Sequence, residues 1–141
     1  MTIRKTTMLA AAALGAVLGL TGAPAWAVTP ENMSATIQVK NSYASSQTMI
    51  SYSVNGTIAP IPMTIGSGVT TDFLHSATSV TALAGRITYS RCRFTWSIIK
   101  NQDVFPKYSF TAAVDDTSKC SVASTPNYTT GALDVKFVIK P

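Results

Sequence analysis

Few residues in this chain have the chemistry of a catalyst. Beyond position 27 it holds one histidine, His75, and one glutamate, Glu31. A Ser-His-Asp arrangement needs an imidazole base between a hydroxyl and a carboxylate, so any such site must use His75. Serines are abundant, yet none sits in the G-x-S-x-G turn that exposes a nucleophile. Glycoside hydrolysis needs two carboxylates facing one another across the bond. Here Glu31, Asp72, Asp103 and Asp134 lie on separate segments, and the side chains of Asp115-Asp116 diverge if that segment is extended. The same aspartate pair lacks the alternating acidic spacing of a calcium loop. One histidine and two cysteines without C-x-x-C spacing are too few ligands for zinc. The expectation is a chain with no cofactor, no metal and no enzymatic activity. A small secreted hydrolase built on His75 is the remaining catalytic reading.

Binding chemistry is easier to place. Arg91 and Arg93 share a parity with Thr95 and Ser97, so an extended segment presents them on one polar, basic face. Guanidinium groups suit phosphate, an acidic glycan or an acidic protein partner. Nucleic acid would call for exposed aromatics among the basic residues. Phe94 and Trp96 instead share the opposite parity with Cys92 and Ile98, which reads as a buried wall. No nucleic-acid partner is expected. A second contact candidate is the proline-bearing segment with Ile58, Ile61 and Met63. Cys92 and Cys120 are the two cysteines, and in an exported chain their default state is a disulfide.

Alternation supplies the elements that must position these groups. The segment from Arg91 to Ile98 reads as a central strand carrying the largest apolar rings. Ala35, Ile37 and Val39 alternate with polar neighbours, as do Thr48, Ile50, Tyr52 and Val54. Asn55-Gly56 follows, the strongest short hairpin signal, with a return arm through Pro60 and Pro62 that can only be an edge or a loop. Val69, Thr71 and Phe73 mark another inward set, and Val80 to Ala84 fits either a strand or a short helix. Ile87 and Tyr89 lie on the opposite parity to Cys92 and Phe94, which points to a β-bulge near Ser90. Asn101-Gln102-Asp103 reads as a turn, Tyr108 to Val114 as a strand, and Ser121 to Thr130 as polar loop with at most a short strand at Val122. The last strand buries Leu133, Val135, Phe137 and Ile139. Seven to nine short strands with turn chemistry between them predict an all-β chain. The expected architecture is an antiparallel β-sandwich, immunoglobulin-like, with one intrachain disulfide.

The chain has 141 residues. Arg4 and Lys5, the apolar run from Met8 to Leu20, and Ala25-Trp26-Ala27 form the three parts of a bacterial-type secretory signal, removed after Ala27. The apolar run is 13 residues, short of the roughly 20 that span a bilayer. Residues 28–141 then form a single domain with no transmembrane segment, secreted or periplasmic, preceded by a flexible lead from Val28 to Ser34. Nine Lys/Arg against six Asp/Glu leave that domain near +3, mildly basic and without charge runs.

These features predict a non-catalytic, exported β-sandwich that binds a protein or glycan partner outside the cytoplasm. In size, export signal and an alternating final strand opened by Gly131, the chain also loosely resembles chaperone–usher pilins. That resemblance implies a surface-fibre subunit in which an N-terminal extension completes a neighbour's sheet. The cysteines lie later than in common pilins, and Lys140-Pro141 ends the chain without a penultimate tyrosine.

Overall fold

Period-two alternation with β-branched and aromatic residues on the buried parity builds strands throughout. The computed structural model describes residues 28–101 and 105–141. The expected signal sequence, and Gln102 and Asp103 of the expected turn, lie outside them. Ten strands follow in chain order: β1 (Glu31–Asn41), β2 (Gln47–Val54), β3 (Thr57–Ile58), β4 (Thr64–Ile65), β5 (Thr70–Val80), β6 (Ala82–Tyr89), β7 (Arg93–Lys100), β8 (Tyr108–Val114), β9 (Cys120–Asn127) and β10 (Ala132–Ile139). They form two five-stranded sheets, ordered β3-β5-β1-β10-β9 and β4-β2-β6-β7-β8. The count passes the expected nine because β3 and β4 are two-residue pairings on the sheet edges. All pairings are antiparallel except β1 with β10, which run parallel from Ser34↔Ala132 to Asn41↔Ile139.

The core lies between the sheets. Ala35, Ile37 and Val39 of β1 and Leu133, Val135, Phe137 and Ile139 of β10 are all buried. Facing them are Leu83, Ile87 and Tyr89 of β6 and Phe94, Trp96 and Ile98 of β7. Phe94 stacks on Phe137 with ring centroids 4.5 Å apart, which joins the two layers. Cys92 and Cys120 are bonded and buried, with Cα atoms 6.2 Å apart. The bond ties the start of β7's sheet to β9 of the other.

Several local expectations give way to longer-range pairing. No bulge lies at Ser90. Ser90, Arg91 and Cys92 form the turn between β6 and β7, closed by the Tyr89 N–H on the Cys92 carbonyl at 2.8 Å. The parity change is thus a reversal of the chain, and both apolar sets face one core. Asn55-Gly56 is a turn, with Gly56 at φ 81°, but not a hairpin. β2 pairs with β6 while β3 pairs with β5, so the turn carries the chain from one sheet to the other. A side chain on Gly56 would also meet the Ser76 carbonyl at 2.5 Å. β9 is a full edge strand of eight residues where a polar loop was expected. Its outward positions are solvated, and an edge tolerates Pro126. The lead is not flexible throughout, since Glu31 to Ser34 belong to β1 and Met33 is buried. Val80 to Ala84 form strand ends around a turn rather than a helix, with Ser79 at φ 54°. Val69 is exposed, although Phe73 is buried. On β2 the register shifts between Met49 and Ser51, and Ile50 and Tyr52 are exposed rather than inward.

Candidate functional site

His75 sits in the middle of β5, fully buried beneath Trp96. The Trp96 indole N–H donates to His75 Nδ1 at 2.9 Å, and the imidazole Nε2–H donates to the Asn55 carbonyl in a short hydrogen bond. Both ring nitrogens are therefore committed, and the neutral Nε2–H tautomer is fixed. Burial holds the imidazole pKa below its ordinary value, against the smaller opposite effect of the Asn55 carbonyl. A ring with no free lone pair and no route to solvent cannot serve as a general base where it stands. Asn55 completes this node from its own turn, its side chain accepting from the Ala84 N–H at 2.6 Å and donating to the Ala82 carbonyl at 2.9 Å.

Three of the aspartates are also engaged, and Asp72 accepts from the Gln38 side-chain amide at 2.9 Å. Asp115 accepts from the Arg93 backbone N–H at 2.9 Å. Asp116 accepts from the Ser118 hydroxyl, pairs with Lys119 at 3.0 Å and accepts from the Ser118 N–H, and these bonds, the hydroxyl's first, hold its carboxyl below the usual range. No cluster of three or more metal-ligating side chains occurs among the described residues.

One end of the sandwich gathers charge and exposed rings. Lys100, on the inward parity of β7, is 3% exposed and reaches Glu31 of β1 at 2.8 Å and the Thr29 carbonyl at 2.6 Å. Lys107 pairs with the same carboxylate at 2.7 Å, and the Tyr108 hydroxyl donates to it. These bonds, Lys100's first, hold the Glu31 pKa down at about 2. Above this anchored base, Phe105 stands 86% exposed in the loop between β7 and β8. Tyr128, in the β9–β10 turn, is also exposed and packs edge-on against Phe110 at 5.2 Å. Phe105, Pro126, Tyr128, Thr129 and Asp134 contribute to a recess of about 440 Å³.

The predicted contact residues are dispersed. Arg91 lies in the β6–β7 turn at the opposite end, its guanidinium 4.1 Å from the centre of the Tyr43 ring. Arg93 begins β7 on the exposed side, so the two arginines do not form one strand face. Ile58 and Ile61 are half-buried against the core, and only Met63 of that trio is exposed. Sequence reasoning passed over Phe105 and Tyr128. Their signal was an aromatic standing inside turn chemistry, Phe105-Pro106 and Asn127-Tyr128-Thr129, where no core parity claims it.

No known family model matches the chain, and no curated protein matches its sequence. Solved structures match its shape. The lipid binding protein Nakanori superposes with a TM-score of 0.56 at 13% identity, covering 77% of this chain and 71% of that one. IP-1A from Alcaligenes faecalis gives 0.49 at 11% identity, over 79% of this chain and 94% of that one. At such identity the likeness to Nakanori is one of fold. The chain is an all-β, two-sheet protein with β-rich neighbours that include a lipid binding protein.

Proposed function

We propose that this is an exported, non-catalytic binding protein that docks reversibly on a lipid surface through its Phe105–Tyr128 end. The observation that carries the reading is Phe105, 86% exposed on a loop whose base is pinned by the Glu31–Lys100–Lys107 network. A large ring held in water by a rigid support gains free energy when it enters an interface, where aromatic side chains concentrate. Tyr128 adds a ring with a polar tip, the amphipathic form that interfaces favour. The mildly basic balance of residues 28–141 favours approach to anionic lipid. The fold shared with Nakanori supports the same direction. Export is supported by the expected signal and by the buried disulfide, a bond that persists in oxidising compartments. The non-catalytic reading rests on His75, whose two nitrogens are both engaged.

Burying one Phe side chain contributes about 1.5–3 kcal/mol, so the end supports reversible rather than permanent attachment. Co-sedimentation with phosphatidylcholine vesicles, with and without phosphatidylserine, tests it. The protein should pellet with vesicles, and Phe105→Ala should weaken binding roughly tenfold or more. A protein that stays in the supernatant with both vesicle types, or Phe105→Ala binding as tightly as the parent, removes the proposal.

A further inference from the structure

β2 presents an open strand edge. Beyond Gln47 and Thr48, which pair with β4, it has no described strand on the side away from β6. The Asn55 N–H, on the Ala84 carbonyl at 3.2 Å, marks the residues bonded to β6. By the alternation of an antiparallel pair, Ser53 and Ser51 share that direction. The N–H and C=O of Tyr52 and Val54 therefore point away from β6, and no backbone bond among the described residues closes them. The register shift on β2 precedes this stretch, so Ser51 to Val54 pair regularly with Thr88 to Gly85. Tyr52 is 55% exposed, and Ile50 and Met63 add exposed apolar surface along the same edge. β2 contains no charged residue and no proline, the usual guards of an exposed edge. The other edges are short or guarded. β3 and β4 have two residues each, β9 carries Pro126, and Phe110 of β8 packs on Tyr128 of the β9–β10 turn.

We propose that this edge pairs with the β2 edge of a second copy of the chain, antiparallel about a two-fold axis at Ser53. Open edges recruit strands through their backbone groups, and a two-fold pairing requires the edge to complement itself. In this register Tyr52 meets the partner's Val54, and Val54 meets the partner's Tyr52. Each pair exchanges both hydrogen bonds, so the outward donors and acceptors of both copies are all used. Each pair also sets an aromatic ring against a β-branched side chain, a favourable cross-strand combination. Other registers use the edge less well. An axis at Tyr52 would set Val54 against Ile50, inside the register shift, and an axis at Val54 would set Tyr52 against Gly56 in the turn. Charge does not oppose the contact. Arg86 lies one strand behind Ser53, so the two Arg86 positions stand three strand spacings apart, about 14 Å, beyond the screening length of about 8 Å. β2 offers a foreign strand no charged side chain to select it, whereas a second copy matches it group for group.

The test is sedimentation velocity of the disulfide-bonded protein from about 10 μM to about 1 mM. The paired stretch is short, so a reversible, concentration-dependent dimer is expected. Tyr52→Lys, at an exposed position, should weaken it at least tenfold, and Phe105→Ala should leave it in place. Cross-linking reads the register. Ser53→Cys places two thiols opposite one another, at a Cα separation of about 4.5 Å, and should give a covalent dimer on mild oxidation. Ser51→Cys, two residues along the same strand, meets the partner's Asn55 instead and should not. A parent that stays monomeric to about 1 mM overturns the proposal and leaves the edge to a foreign strand. A dimer that Tyr52→Lys leaves intact, or that Phe105→Ala abolishes, places the contact elsewhere and overturns it too. So does Ser51→Cys cross-linking as readily as Ser53→Cys.

Discussion

Trp96 joins several parts of the core. Its ring is 2% exposed, lies on the backbone of Gly85, tilts against Phe73 and Phe137, and gives its N–H to His75. Trp96→Ala should therefore cost about 3–5 kcal/mol through lost burial and the cavity left behind. Trp96→Phe separates the two contributions, since it keeps much of the volume but orphans His75 Nδ1, a penalty of about 1–3 kcal/mol. Arg93→Ala, at an exposed position, should stay within about 0.5 kcal/mol. Denaturant midpoints rank the three, and an Arg93 variant costlier than Trp96→Phe would contradict the burial described here. The same node gives the protein an acid sensitivity. The folded-state pKa of His75 lies below its ordinary 6.5, so below that pH the unfolded chain takes up the proton more readily. Stability from His75 is complete above pH 6.5 and is lost as pH falls below it. Glu31 acts in a lower window, from 4.5 down to about 2, because its folded pKa is depressed in the same direction. Melting temperature against pH should decline in two stages, and His75→Gln should lack the first. A single decline confined below pH 4.5 in the parent would show that His75 ionises without opening the core.

At the level of strands, Gly85 is the position where two elements approach too closely for a side chain. A Cβ there would lie 2.2 Å from the Trp96 ring, so β6 can cross Trp96 only with glycine. Gly85→Ala should destabilise by about 1–3 kcal/mol as an overpacked core does, read as a lower denaturant midpoint, whereas Gly68→Ala meets no neighbouring atom within 4 Å and is strained only by its φ of 74°. A Gly85→Ala midpoint equal to the parent's would mean the ring has room to move. The difference between such positions also explains which elements could be read in advance. β1, β7 and β10 alternate because one face is buried and the other solvated, so parity alone identified Ile37, Trp96 and Phe137 as core. β9 has an edge on one side and little burial, so its Ser, Thr and Pro composition imitates a loop. Asn55-Gly56 specifies a turn by its backbone preference, but which sheet receives the outgoing strand depends on β5, a partner distant in sequence. The arginine pair failed for a related reason. Arg91 lies within the turn of Ser90 to Cys92 while Arg93 begins β7, and a two-residue spacing describes one face only within an unbroken strand.

For the molecule as a whole, the question is what keeps two sheets together with an N-terminal strand inserted between β5 and β10. β1 pairs with both neighbours over most of its length, which places the N-terminal segment inside its own sheet. A fibre mechanism of the pilin kind would require that strand to leave, together with Met33, Ala35, Ile37 and Val39, all buried. The parallel partner β10 lies at the far end of the chain, so this pairing closes the longest loop in the fold. Contacts of such sequence separation form slowly and are costly in chain entropy. The Cys92–Cys120 bond, with a sequence separation of 28, lowers that cost by shortening the free chain between β1 and β10. Reduction should lower stability by roughly 2–4 kcal/mol, chiefly by loosening the unfolded chain, while the sandwich itself persists. Paired thermal melts with and without reductant, followed by far-ultraviolet circular dichroism, decide it. Unchanged melting would remove the structural role assigned to the bond. Loss of the β signal at ambient temperature would show instead that the sheets cannot close without it, which places the bond among the conditions for folding rather than among the contributions to stability.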